Sequence, residues 1–201
     1  MTAPLHVVFA LYPRVTQLDF TGPHEVLWRA PGARCVLASA AGGPVSADGG
    51  LVFDTVRLAD VAACDVLLVP GGFGVIAALE DAGFTAQLRR LGGLARHVTS
   101  VCTGSLALAA AGLLRGRRAA CHWAWRDLLV AFPGVTPDDA RVVRDGPVIT
   151  GGGVTAGIDL ALVLLAELTG APAAQAVQLG IEYAPAPPFD CGRPESADAA
   201  V

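Results

Sequence analysis

Long uninterrupted apolar runs are missing from this chain: the longest candidates are broken by Gly, Asp or Glu, so no segment reads as a membrane span. The amino terminus, MTAPLHVVFALYP, has no cationic start and no small-residue cleavage site. It reads as a first strand, and a cytoplasmic protein follows by default. Charge is scarce at 16% of residues, and 18 acidic against 14 basic side chains give a net charge of −4. That balance offers no extended basic face, so nucleic acid is not an expected partner. Aromatic residues make up only 6% of the chain while 53% of its 201 residues are hydrophobic, which describes one domain over 1–201 with an Ala/Val/Leu core. The five cysteines, Cys35, Cys64, Cys102, Cys121 and Cys191, show neither C-x-x-C pairs nor metal-ligand spacing. A disulfide framework and a structural zinc site are therefore excluded, and reduced thiols are expected, with Cys35 and Cys64 as small core residues. Repeats and low-complexity segments are absent until the Pro-rich tail over about 185–201, whose Pro187, Pro188 and Phe189 are expected to pack on the body or across a dimer partner.

Short Val/Leu/Ile runs do recur: Val7 to Leu11, Cys35 to Ser39, Val66 to Val69, Val98 to Val101 and Val148 to Thr150. Their lack of alternation suits strands buried on both faces. Helical patterns fall between and after them, at Pro23 to Arg29, Thr85 to Ala95, Ser105 to Leu114, Trp125 to Phe132, Ile158 to Leu168 and Ala173 to Leu179. Strand and helix alternate, which predicts an α/β sandwich with a mainly parallel sheet and helices on both faces. Gly42 to Phe53 reads as a β-hairpin or small side sheet. Arg115, Arg117 and Arg118 follow a helix, where cations complement its dipole. Ligands of such sheets collect at the carboxyl ends of the strands, which directs attention to Tyr12 to Phe20, Pro70 to Gly74, Cys102 to Ser105, His122 and Gly151 to Thr155.

Among these, HVTSVCTGSLALAAAGLL is the most informative, because a strand-like run turns into a small-residue helix at Cys102. Such a bend is a nucleophile elbow, with cysteine in place of serine. The unpaired N–H groups of the first helical turn, at Thr103, Gly104 and Ser105, would point toward a presented sulfur and favour its thiolate. Asp19 lies in the connection after the first strand, where Thr16 or Thr21 can cap a helix starting near Pro23. Its carboxyl, if brought to the sulfur, would form an acid/base pair with Cys102. The glycines of the PGGFG turn permit close backbone approach, so the amides of Gly72 and Thr103 are a candidate donor pair for developing negative charge. His122 reads either as a general base or as a packed structural group beside two tryptophans. Gly151, Gly152 and Gly153 precede a helix without the lysine of a phosphate loop, which leaves close packing against the elbow as their reading.

Taken together and in order, LYPRVTQLDFTGPHEVL, VLLVPGGFG, VCTGSLALAAAGLL, CHWAW and ITGGGVTAGIDLAL resemble the ThiJ/PfpI superfamily over nearly the whole chain. Within it the resemblance is strongest to the isonitrile (isocyanide) hydratases, through the C-T-G elbow, the aspartate, the H-W pair, R-V-V-R-D-G and the final E-Y-x-P-x-P-P-F-D-C-G. The resemblance implies a homodimeric flavodoxin-like sandwich and a small-molecule hydro-lyase needing no cofactor and no metal. Cys102 would be the nucleophile, Asp19 its acid/base partner, and Thr103, Gly72, His122 and Gly152 would line the site. PfpI-type peptidases carry histidine after the cysteine where this chain has Thr103, and amidotransferases need a His-x-Glu that His122-Trp123-Ala124 does not supply. The deglycase branch has glutamate at Asp19. A deglycase or glyoxalase-like enzyme acting on small oxoaldehydes, and a non-enzymatic cysteine redox sensor, are the alternatives. The amino-terminal domain of some AraC-type regulators is also similar, but no helix-turn-helix segment is expected before Val201. Pocket walls are expected from Phe20, Phe73, Trp123, Trp125 and Ile158.

Overall fold

Val7, Phe9 and Leu11 face one way and Val8 and Ala10 the other, and all five are fully buried. This strand, β1 (Leu5–Leu11), is covered on both sides, which is why its sequence shows no polar alternation. The computed structural model describes residues 4–200; Met1–Ala3 and Val201, the ends of the 1–201 stretch, lie outside the described residues.

Nine further strands follow among the described residues: β2 (Ala33–Ser39), β3 (Gly43–Ser46), β4 (Val52–Arg57), β5 (Val66–Val69), β6 (His97–Val101), β7 (Arg118–Ala120), β8 (Thr136–Asp138), β9 (Val142–Asp145) and β10 (Val148–Gly151). Eight of the ten form one sheet in the order β3-β4-β2-β1-β5-β6-β10-β9, parallel throughout except for β3 on β4 and β9 on β10 at its two edges. The remaining pair, β7 and β8, makes a small parallel sheet. Helices α1 (Leu18–Leu27), α5 (Ala156–Thr169) and α6 (Ala171–Gly180) cover one face, burying Phe20, Leu27, Leu160 and Leu164 against Phe9 and Leu68. On the other face, α2 (Val75–Glu80), α3 (Ala82–Leu94) and α4 (Gly104–Ala110) bury Phe84, Leu88 and Leu106 against Val8 and Leu67. This is the helix-covered, mainly parallel sheet expected from the alternation and the flavodoxin-like three-layer sandwich that the resemblance implies, and the Gly42 to Phe53 hairpin is β3 with β4.

Several boundaries differ. The first helix begins at Leu18 rather than near Pro23, so Asp19 stands in its first turn and not in a loop. Pro23 sits inside the helix and supplies no N–H to the Asp19 carbonyl one turn back. Neither Thr16 nor Thr21 caps it: Gln17 holds the cap position without a side-chain bond, and the Thr21 hydroxyl donates to the Gln17 carbonyl at 3.0 Å. Helix α4 stops at Ala110, short of Leu114, so the arginines after it do not complement its end. Arg117 pairs with Asp145 at 3.1 Å and Arg118 with Asp138 at 2.9 Å. Trp125 to Phe132 forms a short 3-10 helix over Arg126–Ala131. The tail residue Phe189 is 76% exposed and is not part of the buried core.

Candidate active site

Between β6 and α4 the backbone turns at Cys102 with φ +58°, a left-handed conformation that a β-carbon opposes. The strain costs about 1–2 kcal/mol. One fully buried leucine, at about 1.5–3 kcal/mol, offsets it. Two carbonyls fix the bend, because the Cys102 N–H donates to Gly152 at 2.7 Å and to Gly151 at 3.1 Å. The elbow is therefore present, but its sulfur is not presented to solvent: Cys102 is only 6% exposed.

Asp19 reaches the elbow from α1. The N–H of Thr16 donates to the Gly71 carbonyl at 2.9 Å, tying the start of α1 to the end of β5, and the N–H of Gly71 donates to Asp19 Oδ2 at 2.8 Å. Only glycine fits at 71, since a β-carbon there would lie 2.5 Å from the Thr103 nitrogen and 2.8 Å from Asp19 Oδ2. Asp19 is fully buried and its Oδ1 has no hydrogen-bond partner of regular geometry among the described residues. The side chain acting on that carboxyl is the Cys102 thiol.

Burial sets the protonation of the pair. It raises the Asp19 carboxyl to about 7, against the opposing pull of the Gly71 amide and the Cys102 thiol. Burial likewise pushes the Cys102 thiol well above its ordinary value, the Asp19 charge pushes in the same direction, and the Thr103 amide pulls only partly back. Burial and the Asp19 charge thus both oppose a resting thiolate. The helix terminus contributes its amide as expected, but desolvation outweighs it.

Thr103 and Gly72 meet in an unexpected way. The Gly72 N–H donates to Thr103 Oγ1 at 3.0 Å, and that hydroxyl returns a bond to the Gly72 carbonyl at 3.3 Å. The Gly72 amide is consequently engaged rather than free beside the Thr103 amide. Its φ of +145° and the crowding of a β-carbon against Val15 and Thr16 require glycine. Tyr12 was not singled out from the sequence as a site residue, yet it is buried among Asp19, Cys102 and Thr103, and its hydroxyl donates to the Pro70 carbonyl at 2.8 Å. Cys121 was also passed over; it is buried, bonds with Ser105, and lies close enough to Cys102 to raise its pKa. A buried tyrosine at a strand end that faces a glycine turn is the signal that could have found Tyr12.

His122 does not join the pair. Its Nδ1 accepts the Ala124 N–H at 3.3 Å, burial lowers its pKa, and the groups acting on the thiol are Asp19, Thr103 and Cys121. His122 and Gly152 line a cavity of about 680 Å³ together with Cys121, Trp123, Arg126 and the tail segment 192–196. Gly152 serves it through backbone placement, its N–H donating to the Arg141 carbonyl at 2.9 Å and its carbonyl holding the Cys102 amide. Of the expected walls only Trp123 lines this space. Phe20 stacks edge-on to Phe53 in the core, Ile158 and Trp125 pack against core clusters, and Phe73 is 66% exposed.

The chain is 50% identical, over 98% of its length and 86% of the relative's, to an isonitrile hydratase from Pseudomonas putida. It is 36% identical to the HTH-type transcriptional regulator CdhR from Pseudomonas aeruginosa, covering 81% of this chain but 50% of the regulator. Among solved structures, a ThiJ/PfpI family protein from Pseudomonas syringae superposes with a TM-score of 0.95 at 40% identity, over 99% of this chain and 83% of that one. Residues 5–167 match the DJ-1/PfpI family. With the family model matched over residues 5–167 and a relative 50% identical along almost the whole chain, this chain belongs to the DJ-1/PfpI family.

Proposed function

We propose that the protein is an isonitrile hydratase, adding water to R–NC to give an N-substituted formamide. The observation that carries this reading is the 50% identity to an isonitrile hydratase over 98% of the chain. The Asp19–Cys102 pair supports a covalent route. With a thiol held protonated and a carboxyl raised to about 7, the nucleophile forms during the reaction. Asp19 carboxylate takes the thiol proton as sulfur bonds to the terminal carbon, then returns that proton to the same carbon, giving the thioimidate R–N=CH–S–Cys102. Water, relieved of a proton by Asp19, adds to the thioimidate carbon. The nitrogen takes that proton from Asp19, the added hydroxyl gives its own proton to the carboxylate, and as the C–S bond breaks Asp19 protonates the sulfur, so that R–NH–CHO leaves with the thiol restored. One carboxyl near 7 suits both halves, because an acid/base group works best near the operating pH.

A sensor reading calls for an exposed thiol, and Cys102 is 6% exposed, with burial raising its pKa. The decisive experiment is mass spectrometry after incubation with an aromatic isocyanide. Product formamide together with an adduct on the Cys102 peptide is expected. Turnover of methylglyoxal without turnover of any isocyanide would replace the hydratase reading with the deglycase one, and isocyanide turnover by Cys102→Ala would remove the covalent route.

A further inference from the structure

The cavity next to the elbow carries a cation with no ion-pair partner among the described residues. Arg126, from the 3-10 helix Arg126–Ala131, is half-buried, lines the cavity, and makes no ion pair or side-chain hydrogen bond among the described residues. Of the other arginines lining it, Arg141 binds Asp159 at 2.6 Å and Thr155 at 3.2 Å, and Arg193 stands exposed on the tail, where solvent screens it. The cavity's carboxylates, Asp139 and Glu195, are both exposed at its rim, where solvent screens them. His122, also on the wall, is held toward its neutral form by burial and does not supply a second charge. The positive field of Arg126 reaches inward, since it acts on Cys121, and Cys121 in turn neighbours Cys102.

A guanidinium on a cavity wall with no protein partner keeps its N–H donors available to a ligand. Its planar fork matches a carboxylate through two parallel N–H···O bonds. Trp123 and Val154 add apolar wall to the cavity, which adjoins the elbow through Cys121 and through Gly152, whose carbonyl holds the Cys102 amide, and about 680 Å³ takes an aromatic ring with a group at each end. Resting on the hydratase reading, we infer that the preferred substrates are isocyanides bearing a carboxylate at the end away from the isocyano carbon, with Arg126 as the residue that binds it.

The test compares 4-isocyanobenzoate with its methyl ester, two substrates that share a skeleton and differ by one charge. The native protein is expected to favour the carboxylate by about tenfold or more in kcat/KM, the scale of one charge-assisted hydrogen bond, mainly through KM. Arg126→Gln is expected to bring the ratio to about one, and Arg126→Lys to retain part of it because the charge survives without the fork. A native ratio near one, or an unchanged ratio in Arg126→Gln, overturns the inference while leaving the hydratase reading intact. Hydration of neither compound overturns both. Should Arg126→Gln fail to fold, inhibition of ester hydration in the native protein decides: benzoate competing at least tenfold better than benzamide supports the anchor, and equal inhibition overturns it.

Discussion

The N–H of Gly71 donates to Oδ2 of Asp19 at 2.8 Å, from a position where a β-carbon would stand 2.5 Å from the Thr103 nitrogen. One glycine thereby sets both the Asp19 carboxyl and Thr103, the residue after Cys102. Gly71→Ala should force backbone apart at a packed junction, costing about 1–3 kcal/mol of stability. Isocyanide turnover should fall by at least tenfold, since small misplacements at a reacting centre are amplified in rate. Denaturant titration and kcat/KM check the two effects separately, and an alanine variant with native values of both would contradict the close packing described.

Asp19 ties stability to pH. Its folded pKa of about 7 lies above the value of roughly 3.9 in an unfolded chain, so the folded state holds this proton more tightly. The resulting stabilisation is fully present below about pH 4 and is lost as pH rises through 7. At the limit of a single group the loss is on the order of 2–4 kcal/mol. Asp19→Asn should flatten this part of the stability curve, measured by denaturant unfolding between pH 5 and pH 8, while lowering kcat by about 10²–10⁴-fold because an amide cannot carry the proton.

The thiol should resist alkylation. Burial and the neighbouring carboxyl both raise its pKa, so iodoacetamide at pH 7 should modify exposed Cys191 well before Cys102. The Cys102 rate should keep climbing with pH and show no plateau below about pH 10, because the thiolate is the reacting species. Peptide mass spectrometry over a pH series measures this, and a plateau near neutrality would mean that a thiolate exists at rest.

Strain at the elbow can be separated from chemistry. Cys102→Ala keeps a β-carbon at φ +58°, whereas Cys102→Gly does not. The glycine variant should be the more stable of the two by about 1 kcal/mol at this one position. Thermal melts of the two inactive variants provide the comparison.

Much of the sheet is legible in the chain because hydrophobic runs such as Val66 to Val69, buried on both faces, can only be central strands of a covered sheet. The elbow is legible for a related reason: the change from VTSV to small residues after Cys102 marks a strand-to-helix turn. Strand β9 and the β7–β8 pair escape such reading, since three- and four-residue strands are defined by partners remote in sequence. Helix α1 was misplaced because Pro23 resembles a helix start, and only packing shows it tolerated within the helix.

What the sequence determined by itself is the order of elements, the cysteine at the bend and the glycines that let backbone approach it, for these follow from side-chain size and local conformational preference. Only the tertiary structure decided that the sulfur is covered, that Asp19 is buried beside it with a pKa near 7, and that Arg126 faces the neighbouring cavity without a partner. The physical reason is that protonation follows desolvation and distance, and both are properties of the assembled layers rather than of any stretch of chain.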